Sequence, residues 1–252
     1  MGLKESGLRG SLRNVSVGID GIPDSGADHQ WNYTAGSGTL VSDMIGSLDA
    51  DFTSLDWVSG SGAENVYGEL DGVDDIADLG SGTRSGWLHF VEDRQGTLFW
   101  WVHPESADDL TICGCNDFAS DERGFFLQLF GGAAGSDVEF LMSDGESTIV
   151  RDDHGNIPTE SWSAVALVCD GSDALFYQAV PATNYDVELV GSASIDADSG
   201  SGDLERNVVI GDKTTTRGDN FAGGMDISFK DQIAWTESEL QSFVDDSKGL
   251  FE

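Results

Sequence analysis

Basic residues are scarce in this sequence, and their scarcity limits what the protein can bind. The 252 residues include 12 Lys and Arg against 46 Asp and Glu, which gives a formal net charge of −34. Phosphate backbones and anionic membranes repel a surface of this sign, so the composition argues against nucleic acid and against membrane insertion. The sequence also lacks any apolar run of about 18 residues, the length that a membrane-spanning helix needs.

Cysteine is equally rare. The three cysteines, Cys113, Cys115 and Cys169, are too few and odd in number for a disulfide framework. No second pair of Cys or His stands beside Cys113 and Cys115 to complete a metal site. Cys169 ends an apolar run, where we expect a buried small hydrophobic side chain. The first residues contain no apolar segment of the kind found in a secretory signal, so no export signal is expected.

Acidic residues occur in every loop, yet apolar residues still make up 39% of the chain. In low salt such a surface repels itself and weakens the compact state. At molar salt the Debye length falls to about 3 Å and that repulsion is screened. We therefore interpret the sequence as a protein of an extreme halophile, or of a virus that infects one. An ordinary acidic secreted protein is the alternative.

The chain is organised around residues 161–180, in which two apolar runs flank Asp170-Gly171-Ser172-Asp173. Asp-Gly tolerates positive φ, so this stretch predicts a tight turn between two strands. The run 162–169 is apolar on both alternating faces, which indicates a strand in the middle of a sheet. Many further short runs between Gly, Asp, Asn and Ser clusters predict one all-β domain, an antiparallel β-sandwich. These strands are predicted at 29–33, 63–70, 74–79, 87–92, 97–102, 110–113, 124–130, 138–143, 147–151, 174–180, 186–194, 206–211 and 225–234.

One helix is predicted near the C-terminus. Thr236 and Glu239 form a capping box, and Leu240, Phe243 and Val244 follow at helical spacing. Gly249 then predicts the end of the helix.

The N-terminal segment 1–21 has a different character. Its first 13 residues hold Lys4, Arg9 and Arg13, a quarter of the basic residues, together with sparse Leu and Val. We interpret 1–21 as a docking arm and 22–252 as the sandwich domain, with a frayed terminus as the alternative for the arm.

The order of several segments carries a resemblance to a known family. These segments are His29-Gln30-Trp31, the stretch 41–47, the stretch 67–75 with Asp71-Gly72-Val73-Asp74-Asp75, Trp101-Val102-His103-Pro104, the hairpin around Asp170-Gly171, and 223–227 followed by Trp235-Thr236. Together they resemble the concanavalin A-like lectin/glucanase superfamily, in its laminin G-like jelly-roll branch, over residues 22–248. The sequence departs from that pattern at Gln178-Ala179 and at Glu69. The resemblance implies an antiparallel β-sandwich jelly roll with a short C-terminal helix.

Binding residues can be proposed on this basis. Trp57, Trp87 and Trp100 are candidate platforms for a sugar, because a flat apolar ring suits the C–H face of a pyranose. Trp100 and Trp101 point to opposite sides of one strand, and the resemblance puts Trp101 in the core, so we expect Trp100 to be the more exposed. The alternative is that all of these tryptophans are core residues, since Trp is highly buried on average.

The resemblance also implies calcium as a possible cofactor. Asp226 matches an acidic residue on the last strand that holds calcium in relatives, and Asp43 is the second candidate ligand. Carboxylate and carbonyl oxygens are the ligands that calcium prefers. In so acidic a sequence the alternative is a solvated carboxylate at each position.

Catalysis is not expected. The stretch Glu69-Leu70-Asp71-Gly72-Val73-Asp74 approaches the Glu-x-Asp-x-x-Glu motif of glucanases that share the fold. Those enzymes need two carboxyl groups about 5–5.5 Å apart. Asp74 is one methylene shorter than the expected Glu, and the same letters match the non-catalytic branch. A shared fold alone does not establish that the protein is an enzyme.

The sequence thus favours a non-enzymatic protein on the surface of a haloarchaeal virus. We expect a capsid turret, a decoration protein or a tail-associated subunit, assembled in the host cytoplasm and carried on the virion surface. Its expected partners are other virion proteins, further copies of itself in a homo-oligomer, and a glycan or glycoprotein of the host surface. An exported cellular carbohydrate-binding or adhesion protein is the first alternative, and a glucanase is the second.

The net charge predicts that the fold depends on salt. We expect the melting temperature, followed by circular dichroism, to rise between about 0.1 M and about 3 M potassium chloride as the acidic surface is screened. A melting temperature that stays flat across this range would contradict the halophile interpretation.

Overall fold

A computed structural model describes residues 16–17, 22–60, 66–81, 87, 89–116, 122–132, 135–196, 204, 206–212 and 220–251. Most of the predicted N-terminal arm lies outside the described residues. Within the arm, Ser16–Val17 pairs with Pro23–Asp24 in a short antiparallel ribbon. The division into an arm and a sandwich domain stays a prediction.

Short strands dominate the described residues. They are β1 Ser16–Val17, β2 Pro23–Asp24, β3 His29–Trp31, β4 Leu40–Val41, β5 Ala50–Asp51, β6 Asp56–Ser59, β7 Val66–Asp71, β8 Ala77–Ser81, β9 Gln95–Pro104, β10 Leu110–Gly114, β11 Arg123–Gly132, β12 Gly135–Asp144, β13 Thr148–Ile157, β14 Ser163–Asp170, β15 Asp173–Ala179, β16 Glu188–Ser194, β17 Asn207–Ile210 and β18 Ala222–Asp231. The helices are α1 His89–Glu92 and α2 Glu237–Ser247, with 3₁₀ turns at Pro181–Thr183 and Lys248–Leu250.

Two packed sheets form the domain. The smaller sheet has the strand order β13-β12-β11-β10-β17-β8, and the larger has the order β16-β15-β14-β9-β18-β7-β6, with β3 also paired to β18. The pairings within both sheets are antiparallel. The predicted all-β antiparallel sandwich with a short C-terminal helix is confirmed.

The predicted mid-sheet strand is also confirmed. β14 lies between β9 and β15, and its side chains from Ala164 to Val168 are buried on both faces. The turn that follows is tight, because Gly171 adopts a φ of 100° and Asp170 Oδ1 accepts hydrogen bonds from the backbone N–H groups of Ser172 and Asp173. Alternate residues of β14 therefore belong to two different apolar clusters, one between the sheets and one outside the larger sheet.

Helix α2 covers the outer face of the larger sheet. The capping box of Thr236 and Glu239 is present, so the helix begins where the sequence predicts. Phe243 packs edge-on against Phe99 and Phe229, with ring centroids 5.1 Å apart in each case. The α-helix ends at Ser247, and Gly249 lies in the 3₁₀ turn that follows. No helix that the structure describes is long and apolar enough to cross a membrane.

The strand predicted at 87–92 is wrong, because His89–Glu92 is a short helix. Trp87, Phe90 and Val91 are all buried, and the backbone N–H of Phe90 bonds to the carbonyl of Trp87. A helical turn directs positions i, i+3 and i+4 to one side, whereas in a strand position i+3 points to the face opposite i and i+4. This segment directs its rings between the sheets, where Trp87 stacks on Trp31 and Phe125.

Candidate functional site

The outer face of the smaller sheet holds a row of polar side chains across four strands. The register pairs Thr111 of β10 with Gln128 of β11, Gln128 with Glu139 of β12, and Glu139 with Asp153 of β13. Residues directly opposite one another in antiparallel strands share a face. Their chain neighbours Leu127, Val138 and Phe140 belong to the core between the sheets. The four polar residues, called the polar row below, therefore point away from that core.

Hydrogen bonds tie the centre of the polar row together. Gln128 Nε2 donates to Glu139 Oε2, and Arg151 Nε donates to Glu139 Oε1 at 2.9 Å. Arg151 belongs to β13, where it stands opposite Leu141 of β12, and its side chain is 51% exposed. Glu139 is thus a buried carboxylate that holds a guanidinium group at the surface.

Two buried side chains of the polar row contain oxygen atoms that lack a hydrogen-bond partner. Thr111 and Gln128 have no exposed surface. Thr111 Oγ1 and Gln128 Oε1 find no hydrogen-bond partner among the described residues. Buried polar atoms are nearly always partnered, so such atoms call for an explanation such as an ordered water or a ligand.

An exposed aromatic ring lies beside the row. Phe130 is two residues after Gln128 on β11, so it shares the outward face, and it is 37% exposed. It is the one aromatic residue among the exposed large hydrophobic side chains that the structure describes. Its cross-strand partner is Asp137. Burial raises the pKa of Asp137, and the negative charge of Asp153 raises it further, while His154 lowers it.

These groups combine hydroxyl-binding and ring-binding chemistry. Carboxylates accept hydrogen bonds from hydroxyl groups, and a guanidinium group donates to hydroxyl oxygens. The Phe130 ring offers a flat apolar surface next to them. The arrangement suits a small ligand that is rich in hydroxyl groups and has one apolar face.

Two of the three predicted sugar platforms cannot act as such. Trp87 and Trp100 are both 0% exposed and belong to the core between the sheets. The expectation that Trp100 is more exposed than Trp101 is wrong, because both faces of β9 are covered. Trp100 faces the smaller sheet, whereas Trp101 lies under α2, where its ring stacks on Phe251 and its Nε1 donates to Ser247.

Trp57 retains some exposed surface. It is half-buried on β6, the edge strand of the larger sheet, and its Nε1 donates to the carbonyl of Gly38 at 2.7 Å. Its ring packs against the core between the sheets. Trp57 thus lies in the other sheet from the polar row, and no surface shared with Trp87 and Trp100 exists.

Asp43, the second predicted calcium ligand, is an anchor for its own loop. Its Oδ1 accepts from the backbone N–H groups of Gln30, Ile45 and Gly46 at 3.1, 3.2 and 2.8 Å. Its Oδ2 accepts from the backbone N–H of Leu48 at 2.9 Å and lies 2.6 Å from Nδ1 of His29. Donors surround both oxygens, so this carboxylate anchors its loop, and the assignment of calcium to Asp43 stays a prediction.

Asp226, the first predicted calcium ligand, is a buried residue of the larger sheet, and its assignment to calcium also stays a prediction. It lies in β18 opposite Trp101, has no exposed surface, and its Oδ1 accepts from the backbone N–H of Ile227 at 2.8 Å. Its negative charge is close enough to Tyr33 to raise the pKa of that hydroxyl, which burial raises most. Neither Asp43 nor Asp226 belongs to a group of three or more metal-binding side chains among the described residues.

Four residues of this face were not predicted from the sequence: Gln128, Glu139, Arg151 and Phe130. The available signal was a single polar residue inside each of two otherwise apolar strands, Gln128 between Leu127 and Leu129, and Glu139 between Val138 and Phe140. Alternation within a strand puts such a residue on the face opposite its neighbours. The register that aligns the two residues was not accessible from the sequence.

Comparisons with known proteins identify the fold. No protein-family model and no curated protein sequence matches this chain. Among solved structures, domain 4 of AbnA, a GH43 extracellular arabinanase from Geobacillus stearothermophilus solved in complex with arabinotriose, is similar, with a TM-score of 0.57, 16% identity, and coverage of 86% of this chain and 97% of that chain.

Two further structures resemble the chain. The CBM40 domain of the Ruminococcus gnavus IT-sialidase, solved with α2,3 sialyllactose, has a TM-score of 0.53, 19% identity, and coverage of 69% of this chain and 94% of that one. The binding domain of botulinum neurotoxin serotype D has a TM-score of 0.59, 13% identity, and coverage of 88% and 51%. At these identities the likeness shows the fold alone.

The lowered pKa of Asp43 predicts how the stability of the fold depends on pH. Burial raises the pKa of Asp43, but hydrogen bonds from His29 and from backbone N–H groups outweigh it and lower the pKa to about 2. Because the folded-state pKa lies below the unfolded value, the carboxylate stabilises the fold above about pH 4, and this stabilisation is lost as the pH falls through about 2. We expect Asp43→Asn to lower the free energy of unfolding by about 2 kcal/mol at pH 6.

The difference between wild type and Asp43→Asn should shrink as the pH is lowered from about 4 to about 2. Denaturant unfolding in molar salt measures it. Asp196→Asn is the control, because Asp196 is exposed and its replacement should change stability by less than about 0.5 kcal/mol. An Asp43→Asn variant as stable as that control would contradict the anchoring role.

Proposed function

We propose that the protein is a non-catalytic glycan-binding module whose ligand lies on the outer face of the smaller sheet. The observation that carries this proposal is the exposed ring of Phe130 on the same face as the carboxylates of Asp137 and Asp153 and the surface guanidinium group of Arg151. A sugar can donate its hydroxyl groups to those carboxylates, and its C–H face matches the ring of Phe130. Arg151, held in place by Glu139, donates to ring or hydroxyl oxygens.

Similar structures add support for this class of ligand. The arabinanase domain was solved with arabinotriose and the CBM40 domain with α2,3 sialyllactose. The polar row differs in charge from a site built for a strongly anionic sugar. Among the described residues, Asp137, Glu139 and Asp153 lie on this face with one guanidinium group, that of Arg151, in a chain of net charge −34. We infer that neutral or amino sugars are favoured over multiply acidic glycans.

The absence of catalysis remains part of the proposal. Glu69 and Asp74, the ends of the glucanase-like motif, have different charged neighbours. Burial raises the pKa of Glu69, and the charges of Glu105 and Asp56 raise it further. Asp74 groups with Asp71 and Asp75 in the loop after β7. A retaining glycosidase instead needs its two carboxyl groups side by side.

The place of the module on a virion is a separate proposal. The high acidic charge suits an external protein of a halophilic virus, and the basic, sparsely apolar segment 1–21 suits attachment to a capsid or tail protein or to a second copy of the chain. A cellular adhesion protein would use the same glycan surface, so the two hypotheses differ only in the partner of the arm.

A glycan array in about 3 M salt tests the binding surface. We expect the full-length protein to bind a subset of neutral or amino glycans, and Phe130→Ala and Arg151→Gln each to weaken that binding by at least about tenfold. Leu189→Ala is the matched control, because Leu189 is an exposed large hydrophobic residue of β16 in the other sheet.

Two results would contradict the proposal. One is an array without any bound glycan, and the other is binding that Phe130→Ala and Arg151→Gln leave unchanged. The bound glycans are also incubated with wild-type protein and with Glu69→Gln, and reducing ends are measured. Release of reducing ends by wild type that Glu69→Gln abolishes would identify an enzyme instead.

The arm is tested by truncation. Leu3, Leu8, Leu12, Val15 and Val17 can each contribute about 1.5–3 kcal/mol if buried in an interface, and this apolar contribution persists at molar salt. We expect full-length protein to form a homo-oligomer or to bind a candidate virion protein, and residues 22–252 to behave as a monomer in light scattering. If the full-length protein and residues 22–252 have the same oligomeric state and bind the same partners, segment 1–21 is a frayed terminus and not a docking arm.

A further inference from the structure

Three exposed apolar side chains, called the apolar patch below, lie on two loops that meet. Met44 and Ile45 follow β4 and are 58% and 38% exposed, and Ile233 follows β18 and is 53% exposed. A single exposed hydrophobic side chain is ordinary on a protein surface, whereas a group of them marks an interaction site.

The two loops are joined through Asp28. Its Oδ2 accepts from the backbone N–H of Gln232, the neighbour of Ile233, at 3.1 Å. Its carbonyl oxygen lies against Gly46, the neighbour of Ile45, where an added Cβ atom would come within 2.9 Å of that oxygen. One residue therefore contacts the chain neighbours of two members of the apolar patch, which places the members on a common surface.

Negative charge borders the apolar patch. The side chain of Asp28 is 36% exposed, and Asp49, whose Oδ1 accepts from the backbone N–H of Asp43 at 2.9 Å, is exposed in the same loop as Met44. The ammonium group of Lys230 lies 3.3 Å from Oδ2 of Asp28, but the lysine side chain has no exposed surface. The surface thus suits a partner that combines apolar side chains with basic ones.

The N-terminal segment is attached to the fold beside the apolar patch. Ser16–Val17 pairs with β2. Gln30 connects β2 to the patch, because its Nε2 donates to the carbonyl of Pro23 at 2.9 Å and its own carbonyl accepts from the backbone N–H of Met44 at 2.7 Å. Residues 1–15, which lie outside the described residues, therefore join the fold next to the patch.

Residues 1–15 have the composition that the apolar patch and its border suit. They combine branched apolar residues with basic ones: Leu3, Leu8, Leu12 and Val15 with Lys4, Arg9 and Arg13. An extended chain covers about 3.3 Å per residue, so Leu8 can reach about 26 Å from Ser16. Because Ser16 is close to the patch of its own copy, the outer leucines can reach past that patch to a second copy.

We propose that two copies of the chain exchange these segments, so that residues 1–15 of each copy pack on the apolar patch of the other. The outer leucines then cover the patch of the second copy, and the neighbouring basic side chains face its acidic border. Such an exchange is reciprocal about a two-fold axis and closes at two copies. The interface rests on the proposed role of the arm, and it is independent of glycan binding.

Sedimentation of the full-length protein in about 3 M potassium chloride tests the apolar patch. We expect wild type to form a dimer. Met44→Asp on one loop and Ile233→Asp on the other should each raise the dimer dissociation constant by at least about tenfold, because each buries a charge in an apolar contact. Both residues are exposed in the single chain, so the variants should retain their fold.

Leu189→Asp is the matched control and should dimerise as wild type does. Leu189 is 49% exposed on β16, and β15, β14 and β9 lie between that strand and β18. A monomeric wild type would overturn both the exchange and the role of the arm in self-association. A dimer that residues 22–252 cannot form, but that Met44→Asp and Ile233→Asp form as well as the control, would leave the role of the arm standing and overturn the patch as its binding surface.

Engineered cysteines separate exchange between copies from packing within one copy. The three native cysteines are buried, so an added exposed thiol does not compete with them. We expect a mixture of Leu8→Cys protein and Met44→Cys protein, treated with a mild oxidant, to give a disulfide-linked dimer that contains one chain of each variant. Leu189→Cys in place of Met44→Cys should not cross-link. A double variant, Leu8→Cys with Met44→Cys, that cross-links only within one chain would overturn the exchange.

Discussion

Burial of the central strands on both faces is the constraint on which the rest of the structure depends. β9, β14 and β18 lie side by side in the larger sheet, with the smaller sheet on one face and α2 on the other. Every aromatic residue of β9 takes part in this packing. Phe99 and Trp101 lie on the face covered by α2, and Trp100 lies on the face covered by the smaller sheet. These aromatic rings are therefore not available to a ligand, and the glycan-binding surface that we propose lies on the outer face of the smaller sheet instead.

The shortage of basic residues shapes how the acids are accommodated. With 12 Lys and Arg for 46 Asp and Glu, most carboxylates cannot form ion pairs, and several instead accept backbone N–H groups in turns. Asp43, Asp144 and Asp170 each accept from two or more such donors. These contacts are short-range, so high salt screens the repulsion between loops without removing the bonds that order each loop.

Local sequence was sufficient for the features that depend on one segment. The middle position of β14 follows from apolar residues on both of its faces, and the start of α2 follows from its capping box. The predictions failed where the burial or the partners of a residue depend on segments that are distant in the sequence. Trp100 is buried because the smaller sheet covers its face of β9, while α2 covers Trp101 on the opposite face. Asp43 is a loop anchor because residues from 29 to 48 fold around its carboxylate. Glu139 and Gln128 become partners only through strand register.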